Sequence, residues 1–390
     1  MRSARPRARF EIRRSSRTRS AVALACAAAL VASAAAACSS SSGPASPGQT
    51  QAAANVAAAK AQIAPYSGAP DAFPITQPLS KPLPAGTKFA FLQCGTSACG
   101  LVASLLAPAI KDVGGALTTV NAGETAQSSQ AAVASVLAMK PAAVLISGID
   151  PTVFGGDLKQ LSTAGIKVIT ISVSKDTQPY GITFNYIGLQ TTQTAGKSMA
   201  DWVIANKGGQ SNVVFYTVPE IDLSTPLQQA FQQELAKNCP ACKIRTVPID
   251  VSTLGTTAPS TVVTDLQSHP DTTVAVFASA EVAAGLPAAM KAAGLSTTTL
   301  GYAPQAGIIQ NIKNGQITAG LAVDFPLSVW VAVDAAARLI EGGQPTAYEQ
   351  AGDIPIHFLD QQNITFNPAG GWAAYPDYQQ RFAALWNPAS

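Results

Sequence analysis

Two pairs of cysteines are the residues of this sequence whose type and spacing most directly suggest chemistry. Cys94 and Cys99 lie five positions apart in LQCGTSACGLV, and Cys239 and Cys242 form the motif CPAC. Both spacings fit a zinc site, and CPAC also has the spacing of a dithiol redox centre. In an oxidising compartment the same short separations favour two disulfides, Cys94–Cys99 and Cys239–Cys242. The compartment therefore decides which chemistry is available.

The N-terminus predicts export from the cytoplasm. Residues 1–20 carry eight arginines and one glutamate, and they are followed by a small and apolar run from Ala21 to Ala37. This pattern is typical of a signal peptide over residues 1–37, because a membrane-spanning helix needs about 20 strongly apolar residues. The small residues before Cys38 resemble the lipobox of bacterial lipoproteins, although Ala35 replaces the usual leucine. We expect lipid attachment at Cys38, and plain secretion with cleavage nearby remains the alternative.

Removing the leader reverses the sign of the net charge. The full chain has 25 basic and 22 acidic residues, and without the leader's eight arginines and one glutamate 17 basic residues face 21 acidic ones. No Lys/Arg-rich face remains for a phosphate backbone. Nucleic acid is therefore not an expected partner.

Export favours disulfides at both cysteine pairs. A shared zinc site would have to join pairs that lie about 140 residues apart in the sequence. CPAC follows the helical stretch PLQQAFQQELAKN, whereas redox motifs lie at helix N-termini, where the helix dipole lowers the thiol pKa. The two histidines, His269 and His357, are placed in connecting segments without a visible nucleophile. We expect structural bridges, no metal, no cofactor and no catalysis.

The remaining elements predict an α/β protein. Residues 38–85 are rich in Ser, Pro, Ala and Gly and are predicted to be a flexible linker, with a short helix around Ala52 to Ile63. From Lys88 onward, short β-branched runs alternate with helical stretches. Strands this continuously apolar must be covered on both faces, which predicts parallel sheets flanked by helices. About 300 residues of this pattern exceed one core and predict two Rossmann-like lobes.

Several stretches in order give a resemblance to a known family. They are AVASVLAMKPAAVLISGIDPTVFGGDLKQLSTAGIKVITIS, YIGLQTTQTAGKSMADWVI, VAVFASAEVAAGLPAAMKAAG, LGYAPQAGIIQNIKNGQITAGLAVDFPLSVWVAVDAAARLIEGG and IPIHFLDQQNIT. Together they resemble the type 1 periplasmic binding proteins of the ribose-binding group. The resemblance implies a monomer that captures a small molecule by lobe closure and delivers it to an ABC permease.

The resemblance also implies a domain layout. Three crossing segments, near Gly188, Asp324 and Ile354, would join the lobes. The N-terminal lobe would comprise residues 86–188 plus 325–353. The C-terminal lobe would comprise residues 189–324 plus 354–390.

The polar anchors with which the family holds sugars are altered in this chain. The family's Asp-Arg pair, its helix arginine, its Asn and its Phe-Asp pair correspond to Ser172–Val173, Thr225 to Leu227, Ala280 and Tyr302–Ala303. Buried hydroxyls of a ligand require hydrogen-bonding partners. A simple pentose or hexose in the familiar pose is therefore not expected. A sugar-like or less polar cyclic compound is expected instead.

Loops after the strands supply the candidate ligand contacts, because ligands of open α/β sheets lie beyond the carboxyl ends of the strands. The candidates are Thr96, Ser97, Asp150, Ser172, Ser174, Asn185, Tyr216, Glu281, Tyr302, Gln305, Asp324 and Phe325. Each could instead serve a turn or a helix cap, as Asp150 before Pro151 could. Two other functions remain open: ligand presentation to a membrane sensor, and thiol-disulfide exchange at Cys239 and Cys242.

Overall fold

The structure is a computed structural model that describes residues 47–68, 72–94, 97–123 and 125–387. The predictions for the signal peptide over residues 1–37 and for Cys38 fall outside these residues. The described strands are β1 Thr87–Cys94, β2 Gly115–Gly123, β3 Ala143–Ser147, β4 Lys167–Ile171, β5 Phe184–Tyr186, β6 Asn212–Thr217, β7 Lys243–Pro248, β8 Val274–Phe277, β9 Thr298–Tyr302, β10 Ala319–Val323 and β11 Ile356–Asp360.

The described helices connect and cover these strands. They are α1 Pro47–Ile63, α2 Ser97–Asp112, α3 Ala126–Met139, α4 Asp157–Thr163, α5 Leu189–Lys207, α6 Ser224–Asn238, α7 Ala258–Ser268, α8 Leu286–Ala292, α9 Ala306–Lys313, α10 Phe325–Ile340, α11 Ala347–Ala351 and α12 Tyr378–Trp386. Among them, none combines the length and the apolar character needed to cross a bilayer.

The first sheet forms the centre of the N-terminal lobe. Its strand order is β2-β1-β3-β4-β5, and all of its pairs are parallel. All five residues of β3 are buried, because α2 and α10 pack on one face of the sheet and α3 and α4 on the other. Apolar strands without alternation are the sequence signature of a sheet covered on both faces.

The second sheet forms the centre of the C-terminal lobe. Its order is β11-β10-β9-β8-β6-β7, and β11 runs antiparallel to β10 while the other pairs are parallel. Helices α5 and α6 cover one face, and α7, α8 and α9 cover the other. The predicted architecture of two mostly parallel sheets flanked by helices is confirmed.

Three connections between the lobes lie side by side. The chain leaves the first sheet after Tyr186 and enters α5 at Leu189, leaves the second sheet after Val323 and enters α10, and re-enters the second sheet at β11. The Tyr186 hydroxyl donates to the carbonyl of Asp353. Together with the bonds at Asp324 described below, this contact ties the three connections to one another. The crossings expected near Gly188, Asp324 and Ile354 stay a prediction.

The segment expected to be a flexible linker is largely packed against the protein, which corrects that prediction for its described part. Helix α1 covers residues 47–63 and packs against α5, with the Asn55 amide donating to the Asn238 carbonyl at 2.7 Å. Farther along, Phe73, Ile75 and Leu79 are buried. Low amphipathicity concealed this docking, because α1 consists mainly of alanine.

The C-terminal helix α12 also departs from the expected layout. Residues 354–390 were assigned to the C-terminal lobe, but α12 packs against α2 and α10 of the N-terminal lobe. Trp386 stacks on Trp330 with ring centroids 5.2 Å apart, and its indole Nε1 donates to Asp334 Oδ1 at 2.6 Å. A buried aromatic pair and a buried hydrogen bond therefore fix this helix on the first lobe. The other lobe boundaries stay a prediction.

Candidate ligand-binding site

The crevice lies where the carboxyl ends of the two sheets face each other. Three strand ends there are followed by non-glycine residues with left-handed backbone: Ser172 (φ 61°), Ile187 (φ 62°) and Ala303 (φ 52°). This conformation is uncommon for residues with a Cβ, and for a β-branched residue such as isoleucine it is an outlier. Such residues cluster at binding sites, where the surrounding structure holds the strained turn in place. The loops that follow β4, β5 and β9 are therefore tightly specified.

The first disulfide closes the loop after β1, as predicted. Cys94 is the last residue of β1, Cys99 lies in the first turn of α2, and the two are bonded. Cys99 is buried near the carbonyl of Ser147, at the end of the neighbouring strand β3. Thr96 lies outside the described residues, and Ser97 is the first residue of α2. Their proposed ligand contacts therefore stay predictions.

Asp150 follows β3 and is committed to contacts within its own lobe. Its Oδ1 accepts from the backbone N–H of Thr152 at 2.9 Å and from the Thr152 hydroxyl at 2.7 Å, which caps the turn Pro151–Phe154. Its Oδ2 forms an ion pair with Lys175. Burial alone would raise the pKa of Asp150, but the hydrogen bonds from Lys175 and Thr152 lower it overall. The capping role that the sequence left open is therefore present.

Asn185 forms hydrogen bonds that hold the loop after β4 in place. The Asn185 Oδ1 accepts from the Thr170 hydroxyl at 2.8 Å, and its Nδ2 donates to the Val173 carbonyl at 2.8 Å. The backbone N–H of Ser172 donates to the Tyr186 carbonyl at 2.9 Å. Asn185 therefore positions this loop, and both ends of its amide are already engaged.

Ser174 makes a direct polar contact between the lobes. Its backbone N–H and its hydroxyl both donate to Asp222 Oδ2, at 2.6 and 2.5 Å, and the hydroxyl also lies 3.1 Å from the Asp222 carbonyl oxygen. Ser174 belongs to the loop after β4, and Asp222 belongs to the loop after β6. Hydrogen bonds to a carboxylate are among the stronger ones in proteins. This contact joins the loop after β4 to the loop after β6 across the crevice.

Asp324 lies in the connection between β10 and α10 and is fully buried. Its Oδ1 accepts from the backbone N–H of Leu327 at 3.0 Å and caps α10, while its Oδ2 accepts from the backbone N–H of Ala374 at 2.7 Å. Its own N–H donates to the Pro355 carbonyl at 3.0 Å. Burial raises the pKa of Asp324 to about 6, against the lowering effect of these backbone donors. Phe325, the next residue, begins α10 and is partly buried against the core.

Tyr216 does not reach the crevice, which corrects its place among the candidates. It lies within β6, its ring stacks on Phe277 with centroids 5.4 Å apart, and its hydroxyl donates to Asp265 Oδ2 at 2.6 Å. Arg245 forms an ion pair with the same carboxylate. Burial, reinforced by Asp265, raises the pKa of the Tyr216 hydroxyl. Tyr216 is a core residue on the face that α7 covers.

A cavity of about 500 Å³ lies at the carboxyl edge of the second sheet. Its lining combines two predicted residues, Glu281 and Gln305, with neighbours from the loops after β7, β8 and β9. The lining residues are Leu254, Gly255, Glu281, Ala284, Gly285, Gln305, Gly307, Ile308 and Asn311. The volume falls within the range of small-molecule sites. This cavity is where the structure brings predicted residues together with space for a ligand.

Close packing over β9 positions the turn that carries Glu281. A Cβ at Gly301 would lie 2.8 Å from the Cβ of Ala280, so glycine allows the turn Ala280–Ala283 to rest directly on the strand. The Ser279 side chain accepts from the Glu281 N–H at 3.3 Å and caps this turn. Nearby, Tyr302 ends β9 and is almost fully buried, and burial raises its pKa to about 12. Glu281 therefore lies on a capped turn that packs directly on β9, the strand that Tyr302 ends.

The remaining predicted features are the second cysteine pair and the two histidines. The second disulfide, Cys239–Cys242, is formed at the C-terminal end of α6, as predicted. Within the described ranges, no group of three or more His, Cys, Asp or Glu residues could hold a metal ion. His269 ends α7, whereas His357 lies in β11 and stacks on Trp372, so its expected place in a connecting segment is wrong.

Two polar residues of the crevice were not among the sequence predictions. Asp222 contacts Ser174 across the crevice, and Lys175 pairs with Asp150 at its rim. The loop rule that selected the other candidates applies to both, because Asp222 follows β6 and Lys175 follows β4. Only the structure shows that these side chains find partners, since sequence does not give the orientation of one lobe to the other.

The family assignment rests on comparison with known proteins. The family profile described as periplasmic binding protein domain matches residues 105–344. This match covers more than half of the 390 residues. The chain therefore belongs to the periplasmic binding protein domain family. The assignment confirms the predicted resemblance and the expectation of a non-enzymatic, solute-binding protein.

Solved structures with the same fold include several sugar-binding proteins. An ABC transporter solute-binding protein from Agrobacterium vitis with bound allitol shares 20% identity, with a TM-score of 0.62 over 71% of this chain and 96% of that chain. A carbohydrate transporter from Acidothermus cellulolyticus in complex with myo-inositol shares 17%, with a TM-score of 0.61 over 71% and 95%. GanP, a glucose-galactose binding protein from Geobacillus stearothermophilus, shares 15%, with a TM-score of 0.62 over 73% and 100%. The comparison with curated protein sequences found no match.

Proposed function

We propose that this chain is an extracytoplasmic solute-binding lipoprotein that captures a sugar-like or less polar cyclic molecule between its lobes and delivers it to an ABC importer. One observation carries the proposal: two α/β lobes meet at the carboxyl edges of their sheets, where Ser174 of one lobe contacts Asp222 of the other. A cavity of about 500 Å³ lies at the carboxyl edge of the second sheet. Family membership supports the binding role and the extracytoplasmic location. The ligands named for the similar structures support a polyhydroxy compound.

Lobe closure is the mechanism that this architecture supports. The connections are hydrogen-bonded to one another through the Asp324 N–H to the Pro355 carbonyl and the Tyr186 hydroxyl to the Asp353 carbonyl, so bending would be confined to a few residues between the sheets. The Ser174–Asp222 contact would hold the lobes together once they approach. A ligand in the crevice would add contacts to both lobes and shift the population toward the closed form. A permease could then distinguish the closed form from the open one.

The altered polar anchors argue against a simple pentose or hexose as the ligand. Ser172 and Ala303 stand where the family has charged residues, and both have left-handed backbone. Ribose is therefore not expected to raise the melting temperature. Among neutral sugars, amino sugars and cyclic polyols, at least one compound is expected to raise it and to be recovered unchanged. The absence of any stabilising compound, or turnover of a bound one, would contradict the proposed function.

Lipid attachment at Cys38 is tested separately, by fractionating cells that express the full chain. The wild-type protein is expected in the membrane fraction, with a mass that includes the lipid. The variant Cys38→Ala is expected to lose this association, and Cys26→Ala serves as the matched control inside the leader. Equal membrane association of wild type and Cys38→Ala would contradict the anchor without affecting the binding proposal.

A further inference from the structure

Glu281 lines the cavity at the carboxyl edge of the second sheet, and its carboxylate has no partner among the described residues. Its backbone N–H is bonded to the Ser279 side chain, but no hydrogen bond or ion pair reaches the carboxylate within the described ranges. The side chain is partly buried. Partial burial without a counter-charge makes the charged form of a carboxylate less favourable than it is in water, so a cationic ligand group would find an unpaired partner here.

Charged neighbours do not compensate Glu281 either. Burial raises the pKa of its carboxyl group, and no nearby charge adds to or opposes that effect. Lys175, in the loop after β4, is paired with Asp150. Lys313, on the helix that borders the cavity, donates to the Phe366 carbonyl at 3.0 Å. Within the described residues, Glu281 is therefore the single charged side chain that lines the cavity.

The rest of the lining offers two side-chain amides, which can accept and donate hydrogen bonds, together with apolar surface. Gln305 Nε2 donates to the Ala303 carbonyl at 3.1 Å, and this bond directs one of its donors away from the ligand. The Asn311 side chain adds a second amide, and Leu254 and Ile308 supply apolar surface. Carboxylate and amide oxygens are acceptors, and an ammonium group offers three donors together with the compensating charge.

We propose that the ligand carries an ammonium group for which Glu281 is the counter-charge, which makes the substrate class an amine-bearing sugar or polyol. This inference rests on the proposed function and narrows it. The ammonium group would lie against the Glu281 carboxylate, while hydroxyl groups of the same ligand would reach the amides of Gln305 and Asn311. A carboxylate is the strongest discriminator available to this cavity, because a neutral hydroxyl in place of the ammonium leaves the charge uncompensated.

Calorimetric titration with matched sugars tests this inference. The probes are glucosamine, galactosamine and mannosamine, each compared at pH 7 with its neutral parent sugar and its N-acetyl derivative. Purified, ligand-free wild-type protein is expected to bind at least one amino sugar about tenfold or more tightly than either neutral counterpart, a ratio typical of one desolvated charge contact. The variant Glu281→Gln is expected to lose this preference, and Glu281→Asp is expected to keep part of it.

A matched control separates the loss of a charge from the loss of this particular contact. Glu220 is exposed in the loop after β6, outside the cavity, and Glu220→Gln is expected to preserve the preference. Equal or tighter binding of the neutral sugars, or an unchanged preference in Glu281→Gln, would overturn the inference and leave the proposed function standing. Failure of every amino sugar to bind would also overturn the inference, whereas the proposed function would fail only if the neutral sugars and the cyclic polyols did not bind either.

Discussion

Asp324 and Glu281 follow two strands of the same sheet, yet the protein treats their carboxylates in opposite ways. Asp324, after β10, is fully buried and receives hydrogen bonds from the backbone of Leu327 and Ala374. Glu281, after β8, is partly buried and receives none from the described residues. Under the proposed function this difference separates two tasks: the chain itself completes the connection at Asp324, and a ligand would complete the cavity at Glu281.

Removing the Asp324 carboxylate is expected to have the largest effect. Asp324→Ala would leave the buried N–H groups of Leu327 and Ala374 without an acceptor, and the free energy of unfolding should fall by about 3 kcal/mol. Denaturant unfolding monitored by circular dichroism measures this. Asp324→Asn should recover only part of the loss, because its amide places a donor against one of the two donors. A loss below about 1 kcal/mol for Asp324→Ala would contradict a stabilising role for the two hydrogen bonds that its carboxylate accepts.

The disulfides allow the comparison to be extended to the N-terminal lobe. Opening Cys94–Cys99 with Cys94→Ser/Cys99→Ser should lower the free energy of unfolding by about 2 kcal/mol, on the loop-entropy estimate for so small a ring. The bridge closes a loop at the crevice, so ligand affinity should fall as well. Cys239→Ser/Cys242→Ser is the matched control: a similar stability loss is expected with ligand affinity unchanged. Equal effects of both variants on affinity would show that the first loop does not contribute to the site.

The contact between the lobes can be broken without touching the cavity. Asp222→Ala removes the acceptor for both donors of Ser174. The free energy of the closed form should rise by about 1.5 kcal/mol relative to the open form, which shifts the ratio of the two populations roughly tenfold toward the open form. Small-angle X-ray scattering should then report a larger radius of gyration. Glu220→Ala, in the same loop but exposed, controls for the lost charge. An unchanged curve would mean that other contacts hold the lobes together.

Neutralising Glu281 is expected to have the smallest effect of the four changes, and unlike the others it should stabilise the folded protein. The pKa of Glu281 is raised in the folded state, so the folded protein binds more protons than the unfolded chain between the two pKa values. Its contribution therefore becomes less favourable as the pH rises through that window. Relative to the wild-type protein, the free energy of unfolding of Glu281→Gln should be higher by on the order of 0.5 kcal/mol at pH 8 and unchanged at pH 4. Thermal unfolding at both pH values measures this, and destabilisation at pH 8 would contradict an uncompensated carboxylate.

The fold could be predicted from the sequence because strands that are buried on both faces appear as continuous apolar runs. The run AAVLIS predicted β3, and CPAC was correctly placed at a helix C-terminus because the helical pattern before it was clear. The docking of α12 was missed, since its apolar positions reveal burial but not the lobe that buries them. The docking of α1 was missed because an alanine-rich helix shows little amphipathicity.

The site could be predicted only in outline. Loops after strands pointed to Glu281 and Gln305, which do meet in a cavity. Tyr216 was included although it precedes the end of β6, and the alternation of a strand places it on the α7 face with Phe277. Asp222 lies in a suitable loop, but its partner Ser174 comes from the other lobe. Contacts of that kind depend on the orientation of one lobe relative to the other, and the sequence pattern does not predict that orientation.

The central claim is that the two lobes clamp a small solute without changing it, and scattering from the Asp222→Ala variant tests it most directly. A compound that raises the melting temperature of the wild-type protein should contract the opened variant to the wild-type curve and be recovered chemically intact. A bound compound that leaves the curve of the opened variant unchanged, or that is recovered as a different molecule, would contradict the account.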